Sequence, residues 1–426
     1  MYKKILSLPL YFQILIALVF AVILGSITNS GTVLLGINVY NFYDFIGNLF
    51  LNALKMISIP LIIASIISGI SNLGSGHAIG RLGIKVIIYY LFTSFIAIIV
   101  GLVLVNIIKP GIVSGTSVSD LLGVAYDTTK LIDHAKLSHI DLIYNIFLQL
   151  VPSNIFLAAS NGQLLGLIFF SIMFGYFILK IDAKHRNTLK NFWSAVFDAM
   201  MLFTMWIMNF APIGVFGLVA KAISSAGFST FMPVLKFFIT VLLGLSVHFL
   251  ISLSLLLWFV GKVHPLKHLK AMLPAIITAF STASSSATLP ITIKCAEKNS
   301  GVSNKTTSFV LPLGATVNMD GTALYECIAV IFIAQAYGID LSFSSQFMIL
   351  VMALLTSIGV AGIPAASLVA ITLILTAVGL PLEAVGLIMI TDRILDMCRT
   401  SVNIYSDSCG AVIIARLNGE KTNIAR

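Results

Sequence analysis

"AMLPAIITAFSTASSSATLPITIK", residues 271–294, decides how this chain is folded. It is long enough to cross a bilayer, which takes about 20 residues. Lys262, Lys267 and Lys270 precede it, and Lys294, Lys298 and Lys305 follow it. If it crossed, one lysine group would stand on the side of the membrane that short basic loops avoid. Its middle, "STASSSAT" (281–288), is a polar run that cannot face lipid. Irregular backbone at membrane depth is tolerated only where protein or a water-filled cavity covers it. The economical reading is a re-entrant helical hairpin that enters and leaves on the cytosolic side.

Composition supplies the membrane that this reading needs. Of 426 residues, 58% are hydrophobic and 10% charged, against about 25% charged in soluble domains. "VIIYYLFTSFIAIIVGLVLVNII" (86–108) has no polar face, so a soluble all-helical core is excluded. The net charge of +9 does not indicate nucleic acid, because the basic residues follow the positive-inside rule. The apolar run of "MYKKILSLPLYFQILIALVFAVILG" (1–25) is too long for a signal peptide and lacks a small-x-small cleavage site, so a retained first helix is expected. Cys295, Cys327, Cys398 and Cys409 show no metal-ligand spacing and read as free thiols. The single glycosylation sequon, at Asn304, falls in an expected cytosolic loop.

Loop charges set the remaining topology. Lys3 and Lys4 place the N-terminus inside, and helices are expected over about 5–28, 43–72, 82–108, 140–181, 190–222, 229–261, 306–337 and 383–416. The fourth is expected to break around "LVPSN" and "SNGQ". The segment 344–379, broken by "GVAGIPAAS", has no Lys or Arg at either flank and reads as a second hairpin, entering from outside. The fold class is thus an all-α membrane protein of eight transmembrane helices and two opposed re-entrant helical hairpins. Inverted repeats with discontinuous helices meeting at the midplane characterise transporters.

Two polar clusters carry the chemistry. In "DRILDMCRTSVNIYSD" (392–407), a helix at 100° per residue puts Asp392, Asp396, Arg399, Asn403 and Asp407 within about 80° of one another, with Thr400 about 20° further round. Charges at bilayer depth must face a partner or a cavity. A self-satisfied ladder of Asp392, Asp396 and Arg399 that glues helices is the competing reading, and such pairs rarely add net stability. In "ATVNMDGTALYE" (315–326), Asn318, Asp320 and Gly321 are poor helix formers, and an unwound turn there is expected to free carbonyl oxygens. Asp320 and Asp407 are the carboxylates best suited to neutralise a hard cation among oxygen ligands. The "SSSAT" tip lacks G-x-S-x-G, and His248 is the only mid-membrane histidine, so a serine hydrolase is not expected. Hydroxyls and helix N-termini there suit a carboxylate ligand instead.

With these residues in view, the chain resembles the dicarboxylate/amino acid:cation symporter family, which includes archaeal sodium–aspartate transporters and animal excitatory amino acid transporters. "SSSATLP" (284–290), "NMDGT" (318–322), "AGIP" (361–364) and the D-x3-D-x2-R-T-x2-N-x3-D run of 392–407 occur in the family's order. "YYLFTS" (89–94) and "FAPIGVF" (210–216) match as well. The resemblance covers essentially the whole chain. It implies a homotrimer working by an elevator motion, with the hairpins as gates. Residues 1–80 (helices one and two) and 110–225 (helices four and five) would form the static trimerisation scaffold. Residues 81–109 (helix three) and 226–417 (helix six, hairpin one, helix seven, hairpin two and helix eight) would form the moving transport domain, and 418–426 a cytosolic tail.

Site residues follow from the same resemblance. Arg399 matches the arginine that pairs with the substrate's side-chain carboxylate, a task suited to a planar guanidinium. Asp396 matches the acceptor for the α-ammonium, and Thr322, Thr400 and Asn403 further contacts. Ser284, Ser285, Ser286, Ile363 and Pro364 belong to the hairpin tips around the α-carboxylate. Asp407, Asn318, Asn403 and the Gly314 carbonyl match one sodium site; Asp320, Asn318, Tyr90, Thr93 and Ser94 a second. The carbonyls of Thr316, Ser357, Ile358 and Val360 match a third. Glu326 resembles the animal transporters' proton-carrying glutamate, and a carboxyl buried at membrane depth is a candidate proton carrier.

Some positions depart from the pattern. Ala283 and Met397 stand where archaeal and animal members respectively carry an arginine, and Ser367 and Ser406 replace glycines. The expected function is sodium-driven uptake of L-glutamate and L-aspartate, with no enzymatic activity and no organic cofactor. The alternatives are a proton-coupled, C4-dicarboxylate or neutral amino acid carrier of the same family, or a channel. Asp396, well placed for an ammonium, argues against plain dicarboxylates. Compact outer loops point to a bacterial inner membrane with both termini cytoplasmic.

Overall fold

The computed structural model describes residues 10–29, 31–34, 36–71, 77–113, 116–117, 148, 150–161, 164–226, 231–359 and 366–424. The described chain is nearly all helical. It opens with α1 (Leu10–Ile27), α2 (Val39–Ser71) and α3 (His77–Ile108). Two short antiparallel pairs, Val33–Leu34 with Ile37–Asn38 and Ile112–Val113 with Thr116–Ser117, are additions to the expected all-α pattern.

The fourth expected helix is broken as its sequence indicates, into α4 (Ile155–Ser160) and α5 (Leu164–Ile178). Its stretch 140–147 lies outside the described residues. Asn154 starts α4 by accepting from the N–H groups of Phe156 and Leu157, which satisfies two donors that a helix start leaves orphaned. The fifth differs from expectation. It begins earlier, at α6 (Ala183–Met208), capped by Asp182, and is interrupted at Asn209–Phe210 before α7 (Ala211–Ala226). Pro212 in the first turn of α7 explains the interruption, since it has no N–H to continue the ladder.

The sixth runs as α8 (Phe231–Val247), a π-helical turn at His248–Ser252, and α9 (Leu253–Phe259). α10 (Pro265–Thr282) and α11 (Ser285–Lys298) then form a helical pair. Its sharp turn is made by Ala283 at φ 49°, with Ser284 capping the second arm through Ala287 N–H. The seventh is split into α12 (Asn304–Val317) and α13 (Asp320–Ala336). α14 (Phe343–Gly359) and α15 (Ala366–Val378) pack together as the second pair. A 3-10 turn, Leu382–Ala384, leads into α16 (Val385–Leu417).

Among the described residues, five stretches are long and apolar enough to cross a membrane: Val39–Ser71, Leu82–Ile108, Ala183–Met208, Met232–Phe259 and Asn304–Ala336. α13 is the spine of the packing. Its residues Asp320 to Ala334 are all buried, and α3, α8, α14, α15 and α16 pack against it. A segment buried on every side inside an apolar medium must pair its polar groups with protein. That requirement places the chemistry of Asp320, Thr322 and Glu326 on neighbouring helices.

Candidate functional site

The site is built around the break between α12 and α13. α12 ends at Val317, so the carbonyls of Ala315, Thr316 and Val317 fall where a helix has no N–H of its own to offer. α13 starts on Asp320, a carboxylate at the electropositive end of a helix. The unwound turn is therefore where the sequence indicates, at Asn318 and Met319. Gly321 has a different role from the expected one. It lies inside α13, its N–H donates to Asn403 Oδ1 at 2.8 Å, and an added Cβ would stand 2.8 Å from the Arg399 carbonyl oxygen. Its lack of a side chain lets α13 lie directly on α16.

Two buried carboxylates face this break. Asp407 Oδ1 accepts from Asn318 Nδ2 at 2.8 Å, while Asp407 Oδ2 has no hydrogen-bond partner among the described residues. A Cβ at Gly314 would lie 2.5 Å from Asp407 Oδ1 and 2.7 Å from the Tyr90 hydroxyl, so only glycine leaves this corner open. Asp320 accepts from Ser94 Oγ (2.6 Å) and Ser406 Oγ (2.5 Å), and His248 Nε2 stands 3.1 Å from it. Thr93 Oγ1 reaches Asn318 Oδ1 at 3.4 Å, and Tyr90 donates to the Val310 carbonyl.

Of the predicted cation ligands, Tyr90, Thr93, Ser94, Gly314, Asn318, Asp320, Asn403 and Asp407 thus converge in one buried patch rich in hard oxygen donors. Thr316 is on the last turn of α12, and Ser357 and Ile358 close α14, which packs against α12. Val360 lies outside the described residues. His248 was missed as a partner of Asp320. Its signal was a histidine in an otherwise apolar segment, and the π turn that begins at it marks the kind of distortion found at functional sites.

The second cluster surrounds Arg399, which is 1% exposed. Its guanidinium donates to Asp392 Oδ1 at 3.0 Å and Asp396 Oδ1 at 2.9 Å, and lies 3.8 Å from the Tyr325 ring centroid. The Tyr325 hydroxyl donates to the same Asp392 oxygen at 2.9 Å. The ladder considered from the sequence therefore exists, and Tyr325 is an addition to it. Arg399 Nε has no partner among the described residues. Nearby, Asn403 Nδ2 donates to Thr322 Oγ1 at 3.2 Å, and Thr400 Oγ1 to the Asp396 carbonyl.

The first helical pair packs against α16, with Ser401 Oγ, about 180° round the helix from Asp392, donating to the Ile276 carbonyl. At its tip Ser285 is buried and Ser286 exposed, both at the N-terminus of α11. Ile363 and Pro364 lie outside the described residues. Glu326, one turn beyond Thr322, accepts from Thr356 Oγ1 of α14 at 2.7 Å, and its other oxygen has no partner among the described residues.

Comparison with known proteins identifies the family. The family described as the sodium:dicarboxylate symporter family matches residues 10–417. The chain belongs to the sodium:dicarboxylate symporter family. It is 36% identical to the proton/glutamate-aspartate symporter of Escherichia coli (strain K12), covering 97% of this chain and 94% of that one. It is 37% identical to the proton/sodium-glutamate symport protein of Geobacillus stearothermophilus, covering 97% and 96%. It is 35% identical to excitatory amino acid transporter 3 of Mus musculus, covering 94% and 84%. As a sodium:dicarboxylate symporter family member the chain is a membrane transport protein.

Proposed function

We propose that the chain is a secondary active symporter that takes up L-glutamate and L-aspartate together with sodium. The observation that carries this reading is Arg399, buried and held by two carboxylates and an aromatic face. A planar guanidinium kept at membrane depth, with Nε uncommitted among the described residues, is matched to a carboxylate ligand. A substrate side-chain carboxylate takes over bonds that Asp392 and Asp396 now receive, and Asp396 turns to the α-ammonium. Thr322, Thr400 and Asn403 complete the polar wall. The tips of the two helical pairs, with Ser284, Ser285, Ser286, Ile363 and Pro364, bind the α-carboxylate.

Sodium is cargo in this scheme. Asp407 Oδ2, buried and without a hydrogen-bond partner among the described residues, fits a cation shared with Asn318, Asn403 and the Gly314 carbonyl. Asp320, with Asn318, Tyr90, Thr93 and Ser94, holds a second, and the carbonyls of Thr316, Ser357, Ile358 and Val360 a third. Glu326 is the proton-coupling candidate. Relatives named as proton-linked and as proton/sodium-linked symporters make the coupling ion an experimental question.

The same reading organises the fold. Eight spans and two re-entrant hairpins divide into a trimerisation scaffold (1–80 and 110–225) and a moving domain (81–109 and 226–417) that works as an elevator in the bacterial inner membrane, with both termini cytoplasmic. The test is radiolabelled glutamate and aspartate uptake into proteoliposomes under separately imposed sodium and proton gradients. Concentrative uptake that requires sodium is expected. Uptake on a proton gradient alone would transfer coupling to Glu326, and no uptake of either amino acid would overturn the Arg399 assignment.

A further inference from the structure

The segment after α16 is a strap across the base of the first helical pair. Two backbone bonds seat it. The Asn423 N–H donates to the Ser300 carbonyl at 3.0 Å, and the His264 N–H donates to the Ile424 carbonyl at 3.3 Å. His264 precedes α10, and Ser300 follows α11, so the strap touches both feet of the pair. Gly301 fits the contact for a steric reason: it adopts φ 76°, and a Cβ there would stand 2.8 Å from Asn423. Ile424 is buried in the same apolar cluster as Val263 and Val302.

Glu420 provides the polar anchor. Its carboxylate accepts from the Ser303 N–H (3.0 Å), Ser303 Oγ (2.8 Å) and Thr306 Oγ1 (2.6 Å). Ser303 is the N-cap of α12, so the carboxylate sits at the electropositive end of the helix that leads to Asn318. Arg416 reaches the Gly261 and Glu420 carbonyls, and Lys85 of α3 donates to Asn418 Oδ1 at 2.6 Å. Four separate places on the cytosolic side are thereby tied to the end of α16.

We propose that Glu420 is a positioning residue for transport, and that the 418–424 strap fixes the feet of the first helical pair to α16 so that its tip keeps register with Asp396, Arg399 and Asn403. The geometry is that of a lever. The pair is pinned at its base, and the residues it must meet are on the helix that carries the pin. Loosening the base displaces the tip serines without touching them. Burial by itself would raise the Glu420 carboxyl, but the bonds from Thr306 and Ser303 and the charge of Lys305 hold it below the ordinary glutamate value, so the anchor is charged at neutral pH.

The inference rests on the substrate placement proposed above, and Arg399→Ala tests that placement separately. The test of the strap is Glu420→Ala in the full-length protein, oriented in proteoliposomes. Glutamate KM is measured from the outside by uptake and from the cytosolic side by efflux of preloaded substrate. Loss of a charged anchor with three donors is expected to raise the cytosolic-side KM about fivefold and to leave the outside KM within about twofold. Thr306→Val, which removes one donor and keeps the α12 cap, is expected to shift the same constant in the same direction by less. Glu420→Asp is expected to restore part of the affinity. A fall in Vmax or abundance with neither KM changed would reduce the strap to a structural element and overturn the proposal. Equal changes on both sides would also overturn it.

Discussion

The Arg399 guanidinium lies 3.8 Å from the Tyr325 ring centroid, and the guanidinium and the Tyr325 hydroxyl donate to the same oxygen of Asp392. The tyrosine comes from α13 and the other two residues from α16, so the pose of the arginine is set between two helices. Removal of the Tyr325 hydroxyl alone leaves the ring under Arg399 but frees Asp392 to move. Tyr325→Phe is expected to raise KM for glutamate and aspartate about tenfold, the lower end of what one hydrogen bond to a charged group contributes. Concentration-dependent uptake by the purified variant measures it, and an unchanged KM would show that Asp392 needs no outside support.

A methyl group is barred at Gly314, beside Asp407, because its Cβ would stand 2.5 Å from Oδ1. Gly314→Ala is expected to push that carboxylate off its bond with Asn318 and raise the sodium concentration for half-maximal uptake at least about tenfold, as expected when a placed ligand is lost. Asp407→Asn removes the charge and is expected to do the same more severely. Uptake at graded sodium and constant ionic strength distinguishes this from a general loss of activity. Unaltered sodium dependence in both variants would remove Asp407 from the cation set.

Glu326 joins α13 to α14 through Thr356. If it carries a proton through the cycle, Glu326→Gln will flatten the pH dependence of net uptake and leave exchange of internal for external substrate intact, since exchange needs no proton release. Paired uptake and exchange assays over a pH series measure both. A wild-type pH profile in the variant would leave Glu326 as a structural bond to the second helical pair.

The strap adds a stability term of its own. Since hydrogen bonds lower the Glu420 carboxyl, its contribution is complete above the unfolded-chain value of about 4.3 and is lost as pH falls through the lower folded value. Glu420→Gln is expected to melt below the wild type at pH 7 and to converge with it in acid. The difference is expected to stay within about 1 kcal/mol, because the carboxylate is partly solvated. Thermal melts in detergent at several pH values check it, and a gap that widens in acid would contradict the sign.

Sequence by itself determined a great deal here. Lysines flanking a polar run forced residues 271–294 to turn back, and helical spacing aligned Asp392, Asp396, Arg399, Asn403 and Asp407 on one side of α16. Both follow from local rules: bilayer energetics act on each segment, and a helix repeats every 3.6 residues. The break at Asn318 was legible for the same reason. Tertiary structure decided what no single segment contains. It set Tyr325 beneath Arg399 and His248 beside Asp320. It changed Gly321 from a helix breaker into a contact surface, and folded the tail under the first helical pair. These relations join residues about 70 to 160 positions apart, and their partners are chosen by which helix faces which once apolar surfaces have packed. Spacing along a chain fixes the face on which a side chain stands; the packing of helices fixes what it meets there.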